Sequence, residues 1–193
     1  MGPAAHTTAG PGRGATVWFT GLSGAGKSTL ARAVEDRLTA AGRPCYRLDG
    51  DELRTGLCSD LGFSPEARDE NVRRVAEVAR LFADAGVVAL VSLISPYAAG
   101  RQRARARHEE AGLRFVEVYV ATPLQVCAER DTKGLYAQAS TGELTALTGV
   151  GAPYEPPTSP EVVVGHDGDC VEDAVERVLA VLASGEGSIS VTV

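Results

Sequence analysis

The chain is predicted to be an α/β protein with helices covering both faces of a mostly parallel sheet. Two observations predict this. Short β-branched or apolar runs alternate along the chain with longer segments of helical periodicity, the pattern of strands joined by crossover helices. One of those runs, residues 87–93, reads VVALVSL and is almost unbroken, as expected of a central strand covered on both faces.

Taken in order, residues 1–14 form a Gly-, Ala- and Pro-rich segment read as a flexible leader, and Ala15–Thr20 (ATVWFT) is the first strand. Residues 27–41 carry Leu30, Ala31, Val34 and Leu38 at helical spacing and stop at Gly42. A second strand over 44–48 runs into Asp49-Gly50-Asp51. Ser64-Pro65-Glu66 has the chemistry of a helix start, with Ser as N-cap and Pro at the first helical position, and that helix extends to Ala85 before Gly86. After the central strand come a basic helix over 97–111, a strand over Arg114–Val120 and a short helix over 123–130. Residues 131–160 are rich in Gly, Pro, Thr and Ser and lack clean periodicity, so they are read as a mobile lid with a short helix over 142–147. A last strand over 161–164 and a last helix over 171–183 complete a single domain over 15–184. Residues 185–193 are read as a flexible tail.

A chain of 193 residues with 44% apolar and 23% charged residues suits one soluble domain with a sizeable core. The formal charge of −6 argues against a general nucleic-acid binder. No apolar run approaches the roughly 20 residues needed to span a bilayer, and the N-terminus lacks the apolar core of a signal peptide, so a cytoplasmic location is expected. Cys45, Cys58, Cys127 and Cys170 are far apart and form no CxxC pair, which favours buried thiols over a zinc site or disulfides.

The chemistry is concentrated where the first strand meets the first helix. Gly21-Leu22-Ser23-Gly24-Ala25-Gly26-Lys27-Ser28-Thr29 fits G-x-x-x-x-G-K-[ST], the phosphate-binding P-loop. Glycines let successive amides turn into one concavity, and the helix start adds its positive dipole end. Lys27 is placed to reach the β- and γ-phosphates of a nucleoside triphosphate, and Ser28 to ligate Mg²⁺. The guanine-reading N-K-x-D of GTPases is absent, and the central strand ends in Ser92, Leu93, Ile94 and Ser95 without an acid. The carboxylates needed for a metal or for an attacking hydroxyl must then come from Asp49 and Asp51, which the second strand delivers to the carboxyl edge of the sheet. An Asx-turn with exposed acids is the plainer reading of the same residues. Downstream, Arg54, Arg68 and Asn71 offer guanidinium and amide groups for an anion, Arg68 and Asn71 sharing a helix face. Phe63 is read either as a platform for a base or as a small core contact. The alternating Arg101, Arg103, Arg105 and Arg107 are read as a solvated face, with an anion-attracting rim as the alternative, His108 and His166 as structural or surface residues, and Trp18 as core or interface.

With GLSGAGKST, LDGDELR, DLGFSPEARDENVRRVAEVARLFADAG, SLISPY, ATPLQVCAERDTKGLY and LTGVGAPYEPP on the page, the chain resembles the adenylylsulfate kinase (APS kinase) family over roughly residues 13–165. The resemblance implies a three-layer P-loop kinase with a mostly parallel central sheet and a mobile lid. It implies ATP-dependent, Mg²⁺-assisted phosphorylation of the 3′-hydroxyl of adenosine 5′-phosphosulfate (APS), giving PAPS and ADP. A homodimer is implied as well, with ATP sulfurylase as a candidate partner and neither nucleic acid nor membrane. By matching position, Gly21 to Thr29 take the ATP phosphates, with Lys27 catalytic and Arg130 bordering the nucleotide. Asp49 and Asp51 form the general-base and metal neighbourhood, the metal on Ser28 and Asp51. Arg54, Phe63, Arg68, Asn71, Ile94, Lys133, Leu135 and Leu147 fall on the acceptor side, and Ser95 at a catalytic position. The chain departs from the family pattern at Glu52, Ala98, Gly100, Ala137, Gln138, Ser140 and Leu147, the last replacing a Phe that would cover the acceptor adenine. All of these lie on the acceptor or lid side. A kinase for another small-molecule hydroxyl is therefore the alternative reading, and a non-catalytic nucleotide-binding module a further one.

Overall fold

The computed structural model describes residues 14–165 and 170–184. The tail, His166 and, Gly14 apart, the leader lie outside them. In chain order the elements are β1 (Ala15–Thr20), α1 (Lys27–Ala40), β2 (Cys45–Asp49), α2 (Gly50–Leu53), α3 (Pro65–Asp84), β3 (Val88–Ser92), α4 (Ala98–Glu110), β4 (Arg114–Val120), α5 (Leu124–Arg130), α6 (Leu135–Ser140), β5 (Val162–Val164) and α7 (Val171–Ser184). The five strands pair in the order β2-β3-β1-β4-β5, every pair parallel.

Strand alternation divides the interior into two layers. Ala15, Val17 and Phe19 of β1 face one way, into a core shared with Leu30, Val34 and Leu38 of α1 and Val175, Val178 and Leu182 of α7. Trp18 faces the other way, among Val72, Val75 and Ala79 of α3, Ala104 of α4 and Phe115 of β4. Each large apolar side chain fully withdrawn from water contributes about 1.5–3 kcal/mol, so a central strand with apolar residues on both faces anchors both layers. His108 belongs to the second layer, as a structural histidine: one ring nitrogen lies 2.7 Å from the Ala104 carbonyl and the other 2.8 Å from Thr16 Oγ1. Burial holds its pKa below the usual histidine value.

Two expectations are corrected. The lid helix is at Leu135–Ser140, not over 142–147, which is turn. Asp131 explains the placement: its carboxylate accepts from the amides of Tyr136 (3.1 Å) and Ala137 (2.9 Å), capping the helix start. Gly142, at φ 81°, follows the helix end in the left-handed conformation that closes helices. The arginines of α4 are only in part a solvated face. Arg103 and Arg107 do face solvent, 54% and 49% exposed, in surface ion pairs with Asp69 and with Glu77 (3.0 Å) and Glu110 (2.7 Å). Arg101 is buried against Glu117, and Arg105 is largely covered in its pair with Glu161 at 2.6 Å; both of these acids lie outside α4, where helical periodicity gives no sign of them. Of the four cysteines, all free, Cys58 and Cys127 are buried, Cys45 is half-buried and Cys170 is exposed. Among the described residues no helix is long and apolar enough to cross a membrane.

Candidate active site

The site is a continuous cleft of about 1230 Å³ along the carboxyl edge of the sheet. At one end, the chain leaves β1 through Gly21, where a Cβ would come within 2.5 Å of the Val120 carbonyl oxygen, so no larger residue fits. Gly26 then turns at φ 103° to start α1. α3 begins with a Ser64 hydroxyl accepting from Ala67 N at 3.2 Å. α1 has no side-chain cap and no acid in its first turn, which keeps its positive end for a ligand anion. The loop is braced from outside: Thr122 Oγ1 donates to the Ala25 carbonyl at 2.8 Å and the Tyr136 hydroxyl to the Ser23 carbonyl at 2.9 Å. Burial raises the Tyr136 phenol to about 12, so it remains a donor.

Lys27 is buried, and its ammonium donates to the carbonyls of Gly21 (3.0 Å) and Leu22 (2.7 Å). Desolvation by burial, reinforced by the charge of Lys133, lowers its pKa to about 8. Gly21 and Leu22 do not line the cleft; they hold the lysine from behind, and the Leu22 side chain approaches Gly149. The other expected site residues all line it. Arg130 reaches the Gly24 carbonyl at 3.5 Å.

The two carboxylates take separate partners. Asp49 Oδ2 accepts from the Ser28 hydroxyl at 2.6 Å while its Oδ1 accepts from Asp51 N at 3.0 Å, capping α2. The Asx-type bond and the placement beside the P-loop are thus one arrangement. Asp51 is ion-paired with Lys133 from the lid.

At the other end, Phe63 is 61% exposed, which removes the core-contact reading. The Arg54 guanidinium lies 4.4 Å from its ring centre and donates to the carbonyls of Leu61 (3.1 Å) and Gly62 (3.2 Å). Arg68 donates to the carbonyls of Phe63 (2.8 Å) and Ala146 (2.7 Å) and to Thr148 Oγ1 (2.5 Å), bridging α3 to the lid on either side of Leu147. Leu147 itself is 5% exposed. Asn71 is buried at the wall of the cleft, and its Oδ1 has no hydrogen-bond partner among the described residues.

Ser95 lies at φ 40°, a left-handed conformation costing a non-glycine residue about 1–3 kcal/mol. Its hydroxyl accepts from Trp18 Nε1 at 3.1 Å and donates to Thr20 Oγ1 at 2.9 Å. The roles of Thr20, Thr122, Tyr136, Thr148 and Tyr154 were not foreseen from sequence. Thr122, Tyr136, Thr148 and Tyr154 fall within the motifs that carry the family resemblance, which was the available signal. The apolar wall beyond the P-loop, from Val164, Val171 and Ala174, was also missed.

A family model described as adenylylsulphate kinase matches residues 13–165. An adenylyl-sulfate kinase of Geotalea daltonii is 54% identical over 164 residues, 85% of this chain and 80% of that protein. That of Saccharomyces cerevisiae is 48% identical over 171 residues, 89% and 85% of the two chains. A solved Mycobacterium tuberculosis APS kinase, in complex with AMPPNP and APS, matches with a TM-score of 0.86 at 49% identity, covering 90% of this chain and 99% of that one. With the P-loop, the acidic turn and the arginine-rich acceptor end on one cleft, the chain belongs to the adenylylsulphate kinase family.

Proposed function

We propose that this chain transfers the γ-phosphoryl group of ATP to the 3′-hydroxyl of APS, giving PAPS and ADP. The observation that carries this reading is that a single cleft holds Lys27 and Ser28 at one end and Arg54, Phe63, Arg68 and Asn71 at the other. The Asp49–Asp51 turn leads by one turn of helix from the first set to Arg54.

Phosphoryl transfer asks a protein for positioning and charge neutralisation more than for covalent chemistry. Lys27 exchanges its two loop carbonyls for phosphate oxygens. The metal position that the resemblance puts on Ser28 and Asp51 is reassigned to Ser28 and Asp49, because Asp51 is paired with Lys133 while the Ser28 hydroxyl and Asp49 carboxylate, 2.6 Å apart, are hard oxygen donors of the kind Mg²⁺ accepts. Among the described residues no group of three or more His, Cys, Asp or Glu could hold a metal, which suits an ion that draws its remaining ligands from phosphates and water. When bound there, Mg²⁺ supplies charge neutralisation at the β- and γ-phosphates. Asp51, released from Lys133, accepts the proton of the attacking hydroxyl, with Asp49 holding the turn that carries it. Arg54 and Arg68 hold the acceptor's phosphosulfate, Phe63 and Leu147 its adenine, and Asn71 lines the wall between them. Ser95 shapes the shelf beside Ile94 through its backbone, because its hydroxyl is already bonded. Leu135 and the lid close the cleft and exclude water.

The resemblance extends this reading to a homodimer in the cytoplasm, supplied with APS by an ATP sulfurylase. Light scattering tests the dimer. The activity is tested by incubating the chain with γ-labelled ATP, Mg²⁺ and APS. Label in PAPS is expected; label released only as inorganic phosphate, or passed to another alcohol but not to APS, overturns the assignment.

A further inference from the structure

Arg101 of α4 is 3% exposed, and each direction of its guanidinium ends on a different segment. Nε donates to Glu117 on β4 at 2.7 Å, Nη1 to the Ser95 carbonyl at 2.7 Å and Nη2 to the Glu155 carbonyl at 2.7 Å. Two of the three acceptors are neutral main-chain groups, so charge balance accounts for Glu117 alone. The segments joined are the turn after β3, strained at Ser95, and the chain leaving the lid. They also bond to each other directly. Glu155 N donates to the Pro96 carbonyl at 2.8 Å, and Ala98 N to the Glu155 carboxylate at 2.7 Å.

The same turn is tied to the nucleotide end. Thr20 is the residue before the P-loop. Its hydroxyl donates to the Ile94 carbonyl at 2.8 Å and accepts from Ser95 Oγ at 2.9 Å, and it lies 3.0 Å from the Tyr154 hydroxyl. The proton inventory closes if Tyr154 donates to Thr20, with Trp18 donating to Ser95. Three parts of the reaction centre therefore meet here: the strand end that launches the P-loop, the shelf of Ile94 and Ser95 in the cleft, and the exit of the lid.

We infer that Arg101 is a positioning residue for phosphoryl transfer, its three-way fork fixing the acceptor shelf and the lid exit relative to the P-loop. The inference rests on the reaction proposed above. A planar guanidinium whose five donors have fixed directions can hold three segments in one geometry, which a lysine ammonium on a flexible stem cannot. Buried ion pairs are often no more stabilising than well-packed apolar residues of similar volume, which gives a way to separate positioning from stability.

The test compares Arg101→Lys, Glu117→Gln and the double variant Arg101→Met/Glu117→Leu with the unaltered chain. Arg101→Lys keeps the charge facing Glu117 and loses the fork. Its kcat/KM for APS should fall by about 100-fold, the scale of an ångström misplacement, with the Kd for ATP changed less than about threefold. Glu117→Gln keeps an acceptor for Nε and leaves both carbonyl bonds, and should stay within about threefold of the unaltered chain. The double variant, which removes both charges but leaves the Ser95 and Glu155 carbonyls without Arg101, should still unfold in one cooperative transition at a somewhat lower temperature and share the loss in kcat/KM. In both Arg101 variants the amides of Ala98 and Glu155 should exchange hydrogen at least about tenfold faster, with those of α1 unchanged. Normal kcat/KM in Arg101→Lys or in the double variant overturns the inference, as does unchanged exchange at Ala98 and Glu155. If the unaltered chain does not phosphorylate APS, the proposed function fails, and the exchange measurement still decides whether Arg101 holds the two segments.

Discussion

At the nucleotide end of the cleft, the groups that meet the ligand are contiguous in sequence and braced by the core. At the acceptor end they are long side chains drawn from α2, α3 and the lid, and their bonds run to loop carbonyls. The P-loop is positioned by backbone turns and by Thr122 and Tyr136, which donate to the Ala25 and Ser23 carbonyls. At the acceptor end Arg68 ties the chain together, its guanidinium bonding the Phe63 carbonyl and both neighbours of Leu147, which is itself packed into the core. One end is built by local conformation and the other by long-range strapping.

The contrast breaks most severely at Lys27. Removing its ammonium in Lys27→Ala should lower kcat by about 1000-fold, at the upper end of the loss seen when one preorganised charge-stabilising group is deleted. The KM for APS should stay within about twofold, because the loss arises at the nucleotide end; a KM for APS raised as much as kcat is lowered would contradict that separation. Asp51→Asn comes next, with a fall in kcat of about 100-fold, the lower range for a general base. ATP affinity should stay nearly unchanged, as titration calorimetry would show, since Asp49 rather than Asp51 faces Ser28.

The same contrast governs what the sequence made legible. β1 and β4 have the bounds expected from their β-branched and apolar runs, and the P-loop motif lies on strand, turn and helix as anticipated. Local steric rules determine all three. Arg101 and Arg105 of α4 depart from the solvated face because their partners, Glu117 and Glu161, lie outside the helix and give no sign in its periodicity. The lid helix was misplaced because it is started by one capping carboxylate, Asp131, and not by an apolar stripe. Arg68 was recognised as an acceptor-side residue, but its bonds to residues 146 and 148 could not be read from a helix face.

Arg68→Ala should act at the acceptor end alone. Losing its bonds across the adenine slot and to the acceptor anion should raise the KM for APS by about 10- to 100-fold, the scale of charge-assisted hydrogen bonds. The KM for ATP should change by less than about twofold. Equal rises in both constants would mean that the strap supports the whole cleft and that the two ends are not separately built.

The smallest effect concerns protons at the nucleotide end. In the unliganded chain Lys27 has a pKa lowered to about 8 from an ordinary 10.5, chiefly by burial. ATP favours the charged form, so only the protonated fraction of the free protein binds it well. Raising the pH from 7 to 9 should therefore raise the Kd for ATP by about tenfold, since a pH one unit above the pKa leaves roughly a tenth of the lysine charged. The terminal phosphate of ATP is fully ionised across the upper part of this range and adds little. Fold stability moves the opposite way. A folded-state pKa depressed below the unfolded one means that the unfolded chain binds more protons between the two values. Lys27 therefore makes the unliganded fold more stable as the pH rises through that window. At the acceptor end the corresponding charges are arginines, which stay protonated throughout, so the KM for APS should vary far less over the same range. Calorimetry in buffers of different ionisation enthalpy should detect proton uptake on ATP binding near pH 8.5, and Lys27→Met should abolish it. A Kd for ATP that is flat from pH 7 to 9 would mean that the buried ammonium keeps its proton with no phosphate beside it, held by the Gly21 and Leu22 carbonyls alone.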